Sequence, residues 1–366
     1  MTAPQENIIY SYALKDVQGV SSELIEPITF DSQDGDFIIY AKVQLSGLSG
    51  GAGILSIENS AKTKSLQLGF GYDFRNSTAD LPRISMRVKE GSSDTSNGGV
   101  SGVDLTTAPF EIALHYDCDR GAMNLWRRDT SATGYRWIWE NSILAPGFDI
   151  EQIRFWNRTS GASGQWSQFT DVAFCKPFQV AIGDSITAGH NAFDPNPNKY
   201  DGRDNGLSQW EAHCWPFPNL RNNIIVNKGI GGQSTGQVNA RISEAFKHGN
   251  QRVYLSVQNN DYGDGVSLTQ RTTNIQNSIN ACVAAGCEVF LYGCIYSRKQ
   301  NASPLWYIQW RDDYLPQLTG YEQYIEIMDA VKDSSGRIQE QYTCDGKLHP
   351  NQQGYALIGQ HIESFL

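Results

Sequence analysis

The sequence contains no cluster of lysine or arginine residues. Its 29 basic residues are outnumbered by 39 acidic ones, which gives a formal net charge of −10 at pH 7. A protein that binds the phosphate backbone of nucleic acid needs a positive surface. We therefore expect no nucleic-acid partner.

Long apolar segments are also missing. No run is long enough to span a bilayer. Residues 1–16 show no basic segment followed by an apolar one, so no signal peptide is visible. These absences predict a soluble protein that is cytosolic, freed of its leader, or released by a route that needs no leader, such as phage lysis.

The sequence has no Cys-x-x-Cys pair of the kind that binds a metal. Its cysteines are scattered and odd in number, which favours reduced, buried thiols over a disulfide framework. The seven are Cys118, Cys175, Cys214, Cys282, Cys287, Cys294 and Cys344.

The histidines also lack the spacing that is typical of metal ligands. His190, His213, His248 and His361 form no pair at ligand spacing. Three aspartates between residues 194 and 204 lack the regular spacing of a calcium loop, which favours a solvated loop. We predict no metal and no cofactor.

The residues that are present describe a folded chain. Of its 366 residues, 40% are hydrophobic and 19% are charged. This length exceeds the usual size of a single core, which predicts two domains. The spacing of apolar residues changes near residue 175, so we place the domains at 1–175 and 176–366.

Residues 1–175 contain short alternating apolar segments separated by turn residues about every ten positions, a pattern typical of an all-β sandwich. One pair of segments predicts a hairpin that turns at Asp119-Arg120-Gly121. Its pattern resembles hairpins of the concanavalin-like lectin and glucanase jelly rolls, which suggests a jelly-roll-like fold but no particular ligand. The predicted strands span 37–47, 65–74, 83–91, 110–117, 122–129 and 151–159.

Residues 176–366 alternate apolar strand segments with helical stretches. This pattern predicts a parallel sheet of about five strands that is covered by helices on both faces. Ligands bind such sheets at the carboxyl ends of the strands, here Gly183, Asn227, Gln258 and Cys294. The predicted strands span 178–183, 223–227, 252–258, 288–294 and 324–328, and the predicted helices span 234–248, 268–285, 304–318 and 352–365.

The segment Gly183-Asp184-Ser185 follows the first of these strands and predicts a strand-to-helix corner. Such a corner presents the Ser185 hydroxyl at a helix N-terminus, where free backbone N–H groups can stabilise an oxyanion. Serine is also a common helix N-cap, which is the alternative interpretation.

Two further strand ends carry candidate oxyanion donors. The glycine-rich segment 227–235 lets the backbone approach a substrate, although it also suits an ordinary loop. The third strand leads into Gln-Asn-Asn-Asp at 258–261, where the Asn260 amide can supply a donor. Alternatively, Asn260 and Asp261 only turn the chain and cap a helix that begins near Ser267.

A histidine near the C-terminus completes the candidate site. His349 lies on the loop that leads into the last helix, and it can act as a general base if it reaches Ser185. Asp345 can orient it if its carboxylate reaches the imidazole. Each element is weak singly, but their order along the chain, three at strand ends and one before the final helix, indicates a nucleophilic serine.

With these four segments, the C-terminal half resembles the SGNH, or GDSL, hydrolase family. The resemblance covers residues 177–366 and implies a three-layer, flavodoxin-like α/β fold. It implies that Ser185 attacks an ester carbonyl while His349 accepts its proton. It also implies that the oxyanion is held by the backbone N–H groups of Ser185 and Gly232 together with the Asn260 amide.

The chain departs from the family pattern at two positions. The family usually has Gly-x-Asn-Asp at the segment that corresponds to residues 258–261, and Gln258 stands at the position of that glycine. We expect its side chain to narrow the pocket or to change the pocket's lining. The usual Asp-x-x-His is one residue longer here, with Asp345 placed four residues before His349. Either the insertion turns Asp345 away and a backbone carbonyl orients His349, or the loop bulges and restores the contact; we favour Asp345.

The connection between residues 190 and 220 is long for a compact domain and contains several aromatic residues. Aromatic rings in this loop either stack on sugar faces or pack the loop onto the neighbouring domain. We take Asp184, Gln258, Trp210 and Trp215 as candidate substrate contacts.

A β-sandwich followed by an SGNH domain resembles the layout of some polysaccharide deacetylases, including family 2 carbohydrate esterases, and of phage tail proteins that deacetylate surface glycans. The resemblance implies hydrolysis of O-acetyl esters on a carbohydrate by an extracellular or virion-associated protein, with residues 1–175 as a carbohydrate-binding or docking domain. Two alternatives remain. One is a lipase, lysophospholipase or thioesterase of the same family, which needs an apolar acyl groove. The other is a non-catalytic glycan-binding adhesin.

Overall fold

A computed structural model describes most of the chain, in two compact units. One unit ends at Lys176 and the other begins at Pro177; we call them the N-terminal and C-terminal units. The described residues are 8–17, 23–31, 35–46, 53–70, 84–91, 93–100, 108–129, 138–144, 147–156, 167–189, 210–214, 224–257, 259–298 and 303–366.

The described part of the N-terminal unit consists of β-strands. They are β1 (Ile8–Val17), β2 (Glu23–Asp31), β3 (Phe37–Leu45), β4 (Gly53–Glu58), β5 (Lys64–Phe70), β6 (Ile84–Glu90), β7 (Ser93–Val100), β8 (Phe110–Asp117), β9 (Ala122–Asp129), β10 (Ile138–Leu144), β11 (Asp149–Trp156) and β12 (Ser167–Cys175). They form two antiparallel sheets, in the orders β1-β12-β3-β8-β9-β10 and β2-β11-β4-β5-β6-β7. The predicted all-β sandwich is confirmed.

Alternation of side chains along the strands builds the core of this unit. Successive residues of a strand point to opposite faces of the sheet, so every second residue can enter the core. On β3, the core residues are Phe37, Ile39, Ala41, Val43 and Leu45. The Phe37 ring stacks on Phe174 of β12 with its centroid 4.9 Å away, which adds a directional aromatic contact to the apolar burial.

The predicted hairpin is present. Strands β8 and β9 pair from Phe110↔Asp129 to Asp117↔Ala122, and the chain reverses within residues 118–121. Gly121 has a φ of +56°, a left-handed conformation that glycine adopts without steric cost. The six predicted strands all exist in the structure, and the unpredicted ones are β1, β2, β4, β7, β10 and β12.

The C-terminal unit contains a five-stranded parallel sheet with the order β14-β13-β15-β16-β17. The strands are β13 (Gln179–Gly183), β14 (Ile225–Gly229), β15 (Arg252–Ser256), β16 (Glu288–Tyr292) and β17 (Gln323–Ile325). This is the flavodoxin-like order 2-1-3-4-5, so the predicted three-layer α/β fold is confirmed. Apolar residues dominate β13, β15 and β16 because central strands of a parallel sheet are covered on both faces.

The helices of this unit are α1 (Ser185–Ala188), α2 (Thr235–Ala240), α3 (Leu268–Ala284), α4 (Ser303–Gln309) and α5 (Gln352–Glu363). A π-helical turn at Trp310–Tyr314 and a 3₁₀ turn at Leu315–Gln317 extend α4. The helix predicted over 234–248 is shorter than expected, since α2 passes into a 3₁₀ turn at Ile242–Ala245. Within the residues that the structure describes, no helix is long and apolar enough to cross a membrane.

The strand order places a crevice at one edge of the sheet. The chain leaves β13 for β14 on one side and then crosses to β15 on the other side of β13. Ligands of doubly wound sheets bind outside the carboxyl ends of the strands where the connections diverge in this way. The segments that follow β13 and β15 carry Ser185 and Asn260.

Candidate active site

A tight corner after β13 positions Ser185. The strand ends at Gly183, and Asp184 is the N-cap of α1, accepting a hydrogen bond from the backbone N–H of Ile186 at 2.9 Å. Ser185 is therefore the first helical residue, and the interpretation of Ser185 as an N-cap is wrong. Because Asp184 caps the helix, the Ser185 hydroxyl is available for another partner.

Close packing at this corner requires glycine at two positions. A Cβ atom added to Gly183 would lie 2.0 Å from Thr187 Oγ1 and 2.5 Å from Ser256 Cβ. A Cβ on Gly229, at the end of β14, would lie 2.2 Å from the backbone nitrogen of Ala188. Both strand ends can therefore approach α1 only because they lack side chains.

His349 lies within hydrogen-bonding distance of both Ser185 and Asp345. Its Nε2 atom is 3.0 Å from Ser185 Oγ, and its Nδ1 atom is 2.9 Å from Asp345 Oδ2. With the ring proton on Nδ1, the imidazole donates to the carboxylate and Nε2 can accept the serine proton. This is the arrangement that activates a serine nucleophile.

The loop between Asp345 and His349 is folded around the aspartate. Asp345 Oδ1 accepts hydrogen bonds from the backbone N–H groups of Lys347 (2.8 Å), Leu348 (2.9 Å) and His349 (3.3 Å). Gly346 adopts a φ of +64°, which bulges the chain. The extra residue is taken up within this turn, and the carboxylate still faces the imidazole.

These contacts also set the charge state of Asp345. Burial alone raises the pKa of this carboxyl, but hydrogen bonds from the His349 ring and from the backbone of Leu348 and Lys347 outweigh it. The net effect is a pKa well below the usual range, because each donor stabilises the ionised form. Asp345 is therefore a permanent negative charge beside His349 at neutral pH.

The base of this loop is closed by backbone hydrogen bonds. The N–H of Cys344 donates to the carbonyl of His349 at 2.9 Å, and the N–H of Arg298 donates to the carbonyl of Lys347 at 2.9 Å. Arg298 Nη1 donates in turn to Asp333 Oδ2 at 3.1 Å. The turn around Asp345 is therefore anchored to neighbouring segments.

The glycine-rich loop after β14 is fixed to the Ser185 corner. Gly232 adopts a φ of +80°, and a Cβ there would meet open space. The next residue, Gln233, accepts a hydrogen bond from Arg241 Nε through its side chain at 2.7 Å, and Arg241 Nη2 donates to the carbonyl of Gly183 at 3.0 Å. Asn260 Nδ2 donates to the Gln233 carbonyl at 2.9 Å, and this bond uses one of its two amide hydrogens.

The alternative interpretation of Asn260 and Asp261 as helix caps is wrong. Helix α3 is capped by Ser267, which accepts a hydrogen bond from the backbone N–H of Gln270. Asp261 Oδ1 instead accepts from the backbone N–H of Thr235 at 2.8 Å, at the start of α2.

Asn259 supplies a further link that the sequence pattern did not single out. Its backbone N–H donates to Asp184 Oδ2 at 2.6 Å, and its side chain pairs with both backbone groups of Ile295. The segment after β15 is thereby joined to the serine corner. The only sequence signal was the run of two asparagines, which does not say which one faces the site.

Two of the candidate substrate contacts have other roles. Asp184 is completely buried, and its two oxygens accept backbone N–H groups; burial raises its pKa, while those hydrogen bonds oppose the rise. Trp210 has no exposed surface and packs edge-on against Tyr254 and Tyr292, with centroids 5.6 and 5.4 Å away. Neither side chain can contact a substrate. Gln258 and Trp215 lie outside the described residues.

The N-terminal unit contains acidic groups that could hold a cation. Carboxylate oxygens of Asp36, Asp117 and Asp119 in the N-terminal unit lie within 4.8 Å of one another. Asp36 already accepts hydrogen bonds from the backbone N–H of Cys118 and lies 3.1 Å from His115 Nε2. These contacts account for the cluster as part of the fold.

A three-layer α/β domain with a serine, a histidine and an aspartate in line at the carboxyl edge of its sheet has the architecture of a serine hydrolase. Residues 181–357 match the model of the GDSL-like Lipase/Acylhydrolase family. The four segments that carried the resemblance in the sequence all fall within it. No curated protein matches the sequence.

Several solved structures are similar to the chain. A GDSL-like lipase from Bacteroides thetaiotaomicron VPI-5482 has 17% identity, with 51% of this chain and 85% of that chain covered and a TM-score of 0.37. A variant of an acetyl-xylooligosaccharide esterase from Geobacillus Stearmophilus has 17% identity, coverage of 50% and 91%, and a TM-score of 0.41. The exoplasmic/lumenal domain of VIP36 has 12% identity, coverage of 47% and 83%, and a TM-score of 0.31.

Proposed function

We propose that the protein is a serine esterase that removes short acyl groups, above all O-acetyl groups, from a carbohydrate. The observation that carries the proposal is the continuous chain from Ser185 Oγ through His349 to Asp345, with distances of 3.0 and 2.9 Å. The match to the acylhydrolase family model supplies the reaction class. The choice of an acetyl group and of a carbohydrate as the substrate is part of this proposal.

In the first half-reaction, Ser185 Oγ attacks the ester carbonyl carbon and its proton passes to His349 Nε2. The tetrahedral intermediate collapses, the bond to the alcohol oxygen breaks, and the imidazolium returns its proton to that leaving alcohol. Water then attacks the acyl-serine with His349 again as base. Carboxylate and free serine are the products, while Asp345 stabilises the imidazolium in both halves.

The negative charge of each tetrahedral intermediate needs donors that are fixed before the reaction. We assign this role to the backbone N–H groups of Ser185 and Gly232 and to the Asn260 amide. Their support is the hydrogen-bond network described above, in which Gln233 is joined both to Asn260 and, through Arg241, to the carbonyl of Gly183. This network limits the motion of the proposed donors relative to one another.

A surface beside Asn260 supports the carbohydrate part of the proposal. Tyr262 is 36% exposed and its ring packs edge-on against the partly exposed Trp306, with centroids 5.9 Å apart. Tyr262 follows Asn260 by two residues, so the Cα atoms of the two residues are at most about 7.6 Å apart. The exposed carboxylate of Asp264 lies on the same turn. Aromatic faces and a carboxylate suit the C–H faces and hydroxyl groups of a sugar.

The N-terminal unit has a role of its own in this proposal. We assign residues 1–175 to carbohydrate binding or to docking on a larger assembly, in an extracellular or virion-associated protein. The support is its separate antiparallel sandwich with its own core. Binding of the isolated unit to a glycan array would test this assignment.

The central experiment is acetate release from a panel of acetylated polysaccharides, with Ser185→Ala as the blank. We expect p-nitrophenyl acetate hydrolysis to disappear in Ser185→Ala and to fall strongly in His349→Ala. A preference for long acyl chains would favour a lipase or thioesterase. If the wild type cleaves no short acyl ester and Ser185 does not react with fluorophosphonates, the proposal is wrong and a glycan-binding adhesin is favoured.

A further inference from the structure

A tyrosine on α4 clamps the segment that carries Asn260. The hydroxyl of Tyr307 donates a hydrogen bond to the backbone carbonyl of Asn259. This hydroxyl group therefore holds the backbone directly before Asn260.

The Tyr307 ring, which positions the hydroxyl of this clamp, packs against the buried guanidinium of Arg271. The Arg271 guanidinium lies 5.0 Å from the ring centroid of Tyr307 and also faces Trp306 and Trp310 at 5.3 and 4.5 Å. Its Nη1 atom is 2.9 Å from Asp261 Oδ2, and both charged side chains are completely buried. A fully buried charge pair with aromatic walls cannot exchange its partners for water, so its geometry is fixed.

Three helices thus contact the residues on either side of Asn260. Helix α4 holds Asn259 through Tyr307, α3 holds Asp261 through Arg271, and the start of α2 holds Asp261 through the backbone N–H of Thr235. Asn260 lies between these two residues, and among the residues that the structure describes its side chain makes one hydrogen bond, to the Gln233 carbonyl. The direction of its second amide hydrogen therefore depends on the backbone that the clamp fixes.

We propose that Tyr307 is a positioning residue that holds the Asn260 amide in place as an oxyanion donor. Burial raises the pKa of Tyr307, so its hydroxyl stays protonated and donates at all working pH values. A donor stabilises the transition state only when it is already aimed at the developing charge. The inference rests on the proposed function, and Tyr307 acts through Asn260 without contacting the ester.

The test is Tyr307→Phe, which removes the hydroxyl and keeps the ring against Arg271. We expect kcat for p-nitrophenyl acetate to fall about 10- to 100-fold with KM changed less than about threefold. The matching thionoester should lose much less, because sulfur is a weak hydrogen-bond acceptor and draws little from an oxyanion donor. The ratio of oxygen-ester to thionoester rates should therefore fall.

Tyr296→Phe is the matched control. Tyr296 is 5% exposed and Tyr307 3%, and the two rings stack at 7° with centroids 6.4 Å apart. The Tyr296 hydroxyl donates to Glu326 Oε2 at 3.1 Å instead of to the Asn260 segment. Both variants should lose similar thermal stability, but only Tyr307→Phe should change the ester ratio.

A double-mutant comparison with Asn260→Ala tests whether the effect passes through Asn260. In the Asn260→Ala background, Tyr307→Phe should lower kcat for p-nitrophenyl acetate by less than about twofold, because the donor that Tyr307 positions is already gone. Multiplicative losses would overturn the proposal, as would equal losses on the oxygen ester and the thionoester.

A readout without catalysis separates this inference from the proposed function. The side-chain amide NMR signals of Asn260, assigned by their disappearance in Asn260→Asp, should show larger motion in Tyr307→Phe than in Tyr296→Phe. Unchanged Asn260 dynamics would overturn the inference even if the protein is an esterase. Absence of esterase activity in the wild type would overturn the proposed function and leave the amide measurement to decide on the clamp.

Discussion

Among single residues, Asp345 makes the stability of the protein depend on pH. Hydrogen bonds from the His349 ring and the loop backbone lower its pKa below the usual value of 3.8. A carboxyl with a lowered pKa in the folded state stabilises the fold above its unfolded pKa, and this contribution is lost as the pH falls through the folded value. Asp345 therefore stabilises the protein at neutral pH and loses this effect in acid.

We predict that Asp345→Asn lowers the melting temperature at pH 7 and that its difference from the wild type shrinks as the pH falls from about 4 towards 2. The reason is that acid neutralises the Asp345 carboxylate first in the unfolded and then in the folded wild type, after which both proteins lack the charge. Differential scanning calorimetry across this range measures the effect. A difference that stays constant or widens in acid would show that Asp345 does not carry the charge in the folded state.

Tyr262 is the residue that best tests the carbohydrate assignment. We predict that Tyr262→Ala raises KM for an acetylated oligosaccharide about 5- to 30-fold, because a stacking face is worth about 1–2 kcal/mol, while p-nitrophenyl acetate hydrolysis changes less than about twofold. Steady-state kinetics on both substrates measures the split. Val283→Ala removes a side chain of similar exposure, at 45%, from α3 and serves as the control. Equal KM values for the glycan in wild type and Tyr262→Ala would remove this surface from the proposal.

The sequence identified residues whose chemistry depends on their place at a strand end. The positions of Ser185 after a strand and of His349 before the final helix could be predicted because apolar strands, turn glycines and a final helix are visible as patterns. The burial of Asp184 and Trp210 could not, because it depends on segments that pack from elsewhere in the chain. An aspartate beside a serine and a tryptophan in a polar loop look the same in sequence whether they face solvent or the core.

Among the elements, the turn from Asp345 to His349 shows how an insertion can keep a contact. Spacing alone suggested that the extra residue turns the carboxylate away or bulges the loop, and it left both outcomes open. The structure has a bulge, because Gly346 can take a positive φ and the Asp345 carboxylate collects three backbone donors. Backbone dihedral angles of this kind cannot be read from residue counts.

We predict that Gly346→Ala lowers stability by about 1–2 kcal/mol and lowers kcat for p-nitrophenyl acetate about 10-fold or more. The added Cβ meets open space, so the cost comes from the left-handed backbone, which alanine disfavours. Relaxation of that strain would move the carboxylate relative to the imidazole.

Gly286→Ala is the control for this change. Gly286 follows α3 with a φ of +83°, and a Cβ there also meets open space. It should lose similar stability, measured by urea unfolding, and keep its kcat. Equal kcat values in the two variants would mean that the bulge does not set the position of Asp345.

Strand β7 was not predicted from the sequence, and the reason is physical. Strand β7 has the sequence Ser-Asp-Thr-Ser-Asn-Gly-Gly-Val, which shows no apolar alternation and contains two glycines. It is a strand because it pairs with β6 from Ser85↔Val100 to Glu90↔Ser93. Backbone hydrogen bonds to a well-formed neighbour can hold a polar strand that has no intrinsic preference for the conformation.

At the scale of the whole molecule, the chain contains two cores. The apolar cluster of the sandwich draws all its residues from the N-terminal unit, from Ile28 to Phe174. The strands β13 to β16 of the C-terminal unit are buried and are hydrogen-bonded to one another within a single sheet. Ser185, His349 and Asp345, which are joined by hydrogen bonds, all belong to the C-terminal unit. The side chains proposed to carry out the reaction therefore come from one unit.

We predict that a chain beginning at Pro177 folds and hydrolyses p-nitrophenyl acetate with kcat/KM within about threefold of the full protein, because each core is built from its own residues. On an insoluble acetylated polysaccharide, the same chain should release acetate at least about 10-fold more slowly, since it lacks the proposed binding unit and its gain in effective concentration. Circular dichroism first establishes that the shortened chain is folded, and Ser185→Ala in that chain provides the blank. Equal rates on the polysaccharide would remove glycan binding from the sandwich and leave docking as its role. A folded chain that fails on the small ester would instead mean that residues before Pro177 contribute to the catalytic site.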